Sequence, residues 1–285
     1  MLFSLLTFKQ LYYNTFMNET KTNLICYEQA PFLQIRQTLK SERAYESHAH
    51  PTLSIGFMLE GETTFQTPNG SFLLQHGALA IIPPHIQHTC NPLPHTKRSY
   101  IMVFLDADVC ARMQAKHFKE ATTLLPLTTP LVFHKALFEA FERIITALIE
   151  GFSSLHVKEL EAWLEHFFWL YTKQGVSQKK GDVLQDVAHF LESRIDESPS
   201  LDELAKRFST NSFVLARHFK QTYGCTPKHY ALDVRIEHAK QLLRLGTPLA
   251  LCAQYCGFVD QSHFHRFFKR HTALTPKEYQ VNFIQ

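Results

Sequence analysis

The stretch GFVDQSHFHRFFKRHTALTPKEYQ, Gly257–Gln280, decides how the C-terminal third of the chain folds. Asp260 stands where a helix N-cap belongs, and Phe264 and Phe268 step by four along one face behind it. Arg266, Lys269 and Arg270 fall on other faces, and Thr275-Pro276-Lys277 follows near the end of the stretch. Immediately upstream, Leu249, Cys252, Ala253 and Cys256 take the i, i+3, i+4, i+7 spacing of a short amphipathic helix. Thr247 is expected to cap that helix, with Pro248 at its first position, where a missing N–H costs nothing.

The same plan occurs once before. Leu201, Leu204, Ala205 and Phe208 repeat the four spacings, displaced by 48 residues, behind a Ser200/Glu203 capping box. Asn211 is the expected cap of the next helix, whose Leu215 and Phe219 match Phe264 and Phe268 at a displacement of 49. Arg217-His218-Phe219-Lys220 answers Arg266-Phe267-Phe268-Lys269, and Thr226-Pro227-Lys228 with Tyr230 answers Thr275-Pro276-Lys277 with Tyr279. The extra residue falls in the second copy's inter-helix turn. Two short helices joined by a tight turn, the second carrying Arg and Lys, make a helix-turn-helix. The first helix braces the second, which can then enter a major groove. A helix over Pro227–Arg244 would join the copies. Its 18 residues span roughly 27 Å at about 1.5 Å each, the right order to set two reading helices about one DNA turn apart.

These residues resemble the signature of AraC-type transcription regulators, and the likeness covers about 100 residues. The resemblance implies that base contacts lie early on each second helix. By position these are Phe213, Ala216 and Arg217 in the first copy, and Gln261, Ser262, His263 and Arg266 in the second. Phe213 and Ala216 cannot donate to base edges, so thymine methyls or backbone suit them. Lys220, Lys269 and Arg270 are expected on phosphates, which position without specifying. Solvated helix charge is the bland alternative for Arg217 and Arg266.

Working outward, charge agrees with this division. The whole chain has 29 basic and 26 acidic residues, yet residues 176–285 hold 15 and 11 of them. The excess of +4 there points to a polyanion partner. Residues 30–106 read as short strands with turn punctuation: Leu53–Glu60 before Gly61, Thr63–Thr67 before Pro68-Asn69-Gly70, Ser71–Gln75, Ala78–Ile82 before Pro83-Pro84, and Tyr100–Leu105. Phe133, Leu137, Phe141, Ile144 and Leu148 then switch to helical period, as do Leu160, Leu164, Phe167 and Tyr171. Trp163, Phe168 and Leu170 spread the second stripe around its helix, which suits packing on the strands, with or without a partner subunit.

The expected fold is α+β in two domains: an N-terminal antiparallel β-barrel of cupin or jelly-roll type with a helix pair, and a C-terminal all-α tandem helix-turn-helix. The divisions are an N-terminal extension over 1–20, disordered or preceding a true start at Met17; the barrel, 21–130; a helical packing or dimerisation segment, 131–175; a linker, 176–182; and the DNA-binding domain, 183–285. Within the last, the two helix-turn-helix units lie about 200–223 and 247–271, around the joining helix 227–244.

His48, His50, Ser54 and Gly61 resemble the first cupin motif, and Gly77, Pro83 and His88 the second. Ser54 stands where a metal-binding cupin has Glu, and His85 where glycine is usual. His48, His50, Ser54 and His88 are therefore the candidate effector-pocket residues. A metal on His48, His50 and His88 is the less favoured alternative, since no carboxylate completes it. Cys252, Cys256, His263 and His265 suggest zinc, but the cysteines occupy the apolar stripe, where small hydrophobes belong. No cofactor is expected, and the chain is not read as an enzyme. The resemblance implies a transcription regulator, usually an activator, controlled by a small-molecule effector bound in the N-terminal barrel. Its partners would be promoter DNA, RNA polymerase and a second copy in a homodimer, in the cytoplasm and away from membranes. A metal-dependent cupin enzyme fused to a DNA-binding domain, and a constitutive DNA binder with a vestigial barrel, are the alternatives.

Overall fold

The structure, a computed structural model, describes residues 20–118, 123–173, 183–281 and 283–284. The N-terminal extension, apart from Thr20, and the expected linker lie outside them.

The N-terminal region is built from β1 (Lys21–Tyr27), β2 (Ala30–Ser41), β3 (Leu53–Glu60), β4 (Thr63–Thr67), β5 (Gly70–Leu74), β6 (Leu79–Ile82), β7 (Thr89–Pro92), β8 (Arg98–Leu105) and β9 (Leu131–Val132). They form two sheets, with orders β1-β2-β8-β3-β6-β9 and β5-β4-β7, the pairs being antiparallel. The expected barrel is therefore two facing sheets and does not close through one continuous ladder. Pro68 and Asn69 form the two-residue loop of the β4–β5 hairpin, closed by the Thr67–Gly70 pair. Gly56 pairs with Met102 across β3 and β8, and a Cβ there would lie 2.2 Å from the Met102 sulfur. Glycine at that strand position thus lets the neighbouring strand's side chain cross.

Three helices cover the larger sheet: α1 (Ala107–Ala115), α2 (Lys135–Glu150) and α3 (Ser154–Tyr171). Phe138 and Phe141 of α2 meet Phe57 of β3 edge-on, and Trp163 of α3 donates its indole N–H to the Leu137 carbonyl. Leu160, Leu164, Phe167 and Phe168 are fully buried in the same core. Phe133 departs from the expected stripe. It precedes the cap, His134, and stands exposed, because α2 begins only at Lys135. Leu170 is 38% and Trp169 58% exposed, so the far side of α3 is left uncovered by the described residues.

The C-terminal region comprises α4 (Val183–Ser193), α5 (Leu201–Arg207), α6 (Ser212–Tyr223), α7 (Pro227–Arg244), α8 (Leu249–Tyr255), α9 (Gln261–Thr272) and α10 (Pro276–Val281). The Ser200/Glu203 capping box is formed, Asn211 accepts from the Phe213 and Val214 amides, and Asp260 accepts from the His263 amide. One cap differs. Thr247 does not cap α8; Pro248 takes the cap position with extended backbone, and no side chain satisfies the first turn. Leu204, Ala205, Leu215 and Phe219 form one core, and Cys252, Ala253, Cys256, Phe264 and Phe268 another. The region is not wholly helical. A short strand, β10 (Phe283–Ile284), pairs parallel with β1, extending the larger sheet.

Candidate nucleic-acid interface and effector cleft

Helices α6 and α9 are the second helices of the two repeats. Each buries two aromatic or aliphatic anchors (Leu215 and Phe219; Phe264 and Phe268) and turns its other faces outward. Phe213 is 73% exposed, Arg217 and Lys220 are exposed beside it, and Ala216 is half-buried. On α9, Gln261, Ser262, Arg266, Lys269 and Arg270 are exposed. His263 is different. Its ring packs edge-on against Phe258 and Phe267, and its Nδ1 is buried without a hydrogen-bond partner. Its contribution to any DNA surface is therefore restricted to the remaining edge of the ring. Arg270 also forms a 3.0 Å ion pair with Glu46 of the N-terminal region.

Arg235 on α7 is the organiser that the repeat pattern could not reveal. Its guanidinium donates to the carbonyls of Ile195, Glu197 and Gly257 and to the Ser198 hydroxyl, at 2.6 to 3.0 Å. It thereby ties the α4–α5 connection of the first copy to the end of α8 in the second. Gly257, at φ +67, closes that turn with Asp196, Ile195 and Arg235 packed against it, where a Cβ would meet atoms at 3.2 to 3.3 Å.

Between the regions lies a cleft of about 400 Å³. Ala49, His50, Pro51 and His85 form one wall, with Asp106 and Asp108 at the start of α1. Glu192 on α4 and Tyr230, Asp233, Val234 and Glu237 on α7 form the other. Five carboxylates and no Lys or Arg line it. Four of the five are already engaged. Asp106 accepts from the Val109 amide at the start of α1, and Glu192 accepts from the Tyr230 hydroxyl. Asp233 accepts from the Ala49 amide and the Gln87 side chain, and stands 3.3 Å from His271 Nδ1. Lys240 and His271 hold Glu237 well below the usual carboxylate range, although burial alone would raise it.

The candidate pocket residues come together, but only His50 lines this cleft. The rings of His48 and His88 lie 4.5 Å apart, His50 and His88 4.9 Å, and His48 and His271 4.8 Å. Ser54 is buried behind them, its hydroxyl 3.4 Å from His50 Nε2. Burial, reinforced by the neighbouring imidazoles, pushes His48 and His50 well below the ordinary imidazole value, and burial takes His88 down to about 4. His271 is raised: Asp233 and Glu237 outweigh the burial that would lower it. Among the described residues, no three of His, Cys, Asp and Glu are placed to hold a metal ion. All six cysteines are free thiols. Burial pushes the Cys256 thiol up to about 12, so it packs as a neutral hydrophobe.

Comparison with known proteins decides the family. The AraC-like ligand-binding domain matches residues 36–176, and a helix-turn-helix domain matches residues 204–282. The chain belongs to the AraC-type transcription regulators. It is 26% identical to the HTH-type transcriptional regulator YbfI of Bacillus subtilis, over 77% of this chain and 81% of that protein. It is 25% identical to the probable transcriptional regulator LumQ of Photobacterium leiognathi, over 86% and 94%. The fold is shared with ToxT from Vibrio cholerae, solved with a bound unsaturated fatty acid: TM-score 0.63, 15% identity, covering 93% of this chain and 97% of that one. The protein is thus a DNA-binding transcription regulator with a ligand-sensing domain. The residues 36–176 are called the sensor below, and 183–281 the reader. No helix among the described residues is long and apolar enough to cross a membrane.

Proposed function

We propose that a small polar effector enters the cleft between sensor and reader and thereby sets how the reader engages promoter DNA. The observation that carries this is the composition of the cleft, whose walls come from both domains: His50 and His85 from one, Tyr230, Asp233 and Glu237 from the other. A ligand touching both walls has a different affinity for each relative placement of the domains, which is the condition for shifting that equilibrium. Five lining carboxylates favour an effector with donor groups or positive charge over a fatty acid of the kind ToxT binds.

On the DNA side, Phe213, Ala216 and Arg217 of α6 and Gln261, Ser262 and Arg266 of α9 read bases, with His263 at the edge. Lys220, Lys269 and Arg270 meet phosphates. The regulator acts as an activator in the cytoplasm, recruits RNA polymerase, and pairs with a second copy through the open face of α3, where Trp169 and Leu155 stand exposed. A thermal-shift screen of small metabolites tests the cleft. A hit should raise Tm in the native protein and lose its effect in Val234→Trp, which fills the cleft. An effector that stabilises both proteins equally places its site elsewhere.

A further inference from the structure

The C-terminal carbonyls of a helix have no partner within the helix, and cations or N–H groups placed there stabilise it. In this protein the reader does not supply those partners alone. At the end of α9, the Glu46 amide donates to the Arg270 carbonyl at 3.2 Å, Arg36 to the Thr272 carbonyl at 3.0 Å, and Arg43 to the Ala273 carbonyl at 2.8 Å. At the end of α6, the Gln87 amide donates to the Tyr223 carbonyl at 3.3 Å. All four donors belong to the sensor, and both helices that face DNA receive them.

The donors are held firmly. Arg36 is 8% exposed and lies over the Tyr45 ring at 5.3 Å. Arg43 reaches Glu278 of α10 at 3.1 Å with its other nitrogen. Gln87 sends its side chain to Asp233 on α7, the helix that joins the two reading helices. The contacts continue in the apolar core, where Leu24 of β1 packs among Phe264, Phe268 and Tyr279.

The geometry points to the sensor as the shared C-cap of both reading helices, with Arg36, Arg43 and Gln87 as positioning residues that fix the distance and angle between α6 and α9. Base-reading side chains stay on the reader, while the spacing of the two DNA segments they accept is set by the sensor. This rests on the two-helix reading proposed above. A ligand in the cleft then changes the spacing the regulator tolerates, and need not change the bases it prefers.

The test uses the full chain and the operator it selects from random DNA. Inserting one base pair between the half-sites displaces one from the other by roughly 3.4 Å and about 35°. The native protein should lose about tenfold or more in affinity, the scale of a mismatched base pair. Arg36→Met/Arg43→Met should lose less than about threefold on the same insertion, with affinity for an isolated half-site changed by less than about twofold. Arg43→Met alone, at a more open site, gives the same trend in milder form, and Arg43→Lys restores the native penalty. A variant that keeps the full insertion penalty overturns the capping role, as does one whose half-site affinity falls in parallel. A native protein that selects a single half-site overturns the two-helix reading and the cap's role with it.

Discussion

Replacing Arg235 by methionine isolates the hydrogen bonds that hold the two helix-turn-helix units together. Methionine keeps the unbranched stem and the helix propensity of α7, so packing changes little while four donors vanish. The guanidinium serves three carbonyls and one hydroxyl between 2.6 and 3.0 Å. Hydrogen bonds from a charged donor contribute about 1.5–3 kcal/mol each where the acceptor is otherwise unsatisfied. Glu197 and Ser198 are exposed, so water replaces the lost donor at their atoms. The carbonyls of Ile195 and Gly257 belong to half-buried residues and carry most of the loss. The guanidinium also gave up hydration on burial, which offsets part of the gain. The net loss is then about 2–3 kcal/mol, a large part of the ~5–15 kcal/mol of an ordinary domain. Urea unfolding of native and variant protein, followed by far-ultraviolet circular dichroism, measures it through the midpoint at constant slope. A difference below about 1 kcal/mol would refute the assignment of Arg235 as the tie between the copies.

Other outcomes follow from the same contacts. Arg217→Ala and Arg266→Ala should each weaken operator binding by ~1–3 kcal/mol and relax base preference in one half-site, read by competition binding. Lys220→Ala and Lys269→Ala should instead weaken all sequences alike and lower the salt slope by about one each. Gly224 ends α6 at φ +80, and a Cβ there would lie 2.9 Å from Gln87 and Pro68 of the sensor. Gly224→Ala should therefore speed hydrogen exchange at the Gln87 amide while leaving core amides of β3 and β8 protected. The seam also responds to pH. His48, His50 and His88 are held below 6.5, so their contribution to closure is complete above that pH and is lost below it, down to about 4 for His88. His271 is held above 6.5, so its contribution is complete below that value and fades as pH rises through its own. Three imidazoles outweigh one, and thermal stability should fall between pH 6.5 and 5. His50→Gln and His88→Gln should each flatten that fall, and an unchanged slope in both would contradict the assignment.

The reader was legible from its sequence because both its helices and its caps are local. Ser200, Asn211 and Asp260 signal within three residues, and the repeat supplies each spacing twice. Thr247 misled because threonine before proline fits two cap registers, and Pro248 itself took the position. In the sensor, β3 to β6 and β8 were visible through Gly, Pro and Asn punctuation. β1, β2 and β7 were not delimited, since their polar residues obscure the alternation; Thr38 is buried in β2 while Gln37 is not. Phe133 continued the helical period in sequence but preceded the cap, His134, so periodicity alone placed it in α2. The HxH segment gave the imidazoles their proximity but not their neighbours. Asp233, Glu237 and His271 lie about 180 residues or more away in the chain, and no local pattern encodes that meeting. Arg235 was hidden for the same reason: three of its four partners are backbone carbonyls, which leave no mark in a sequence.

In the proposed function one chain reads two adjacent major-groove segments with α6 and α9. Selection of operator sequences from random DNA by the full chain, followed by the same selection with Arg217→Ala and Arg266→Ala, tests this most directly. The native protein should return two half-sites about 10–10.5 base pairs apart, and each variant should blur a different one. A single half-site, or the same half-site blurred by both substitutions, would contradict it.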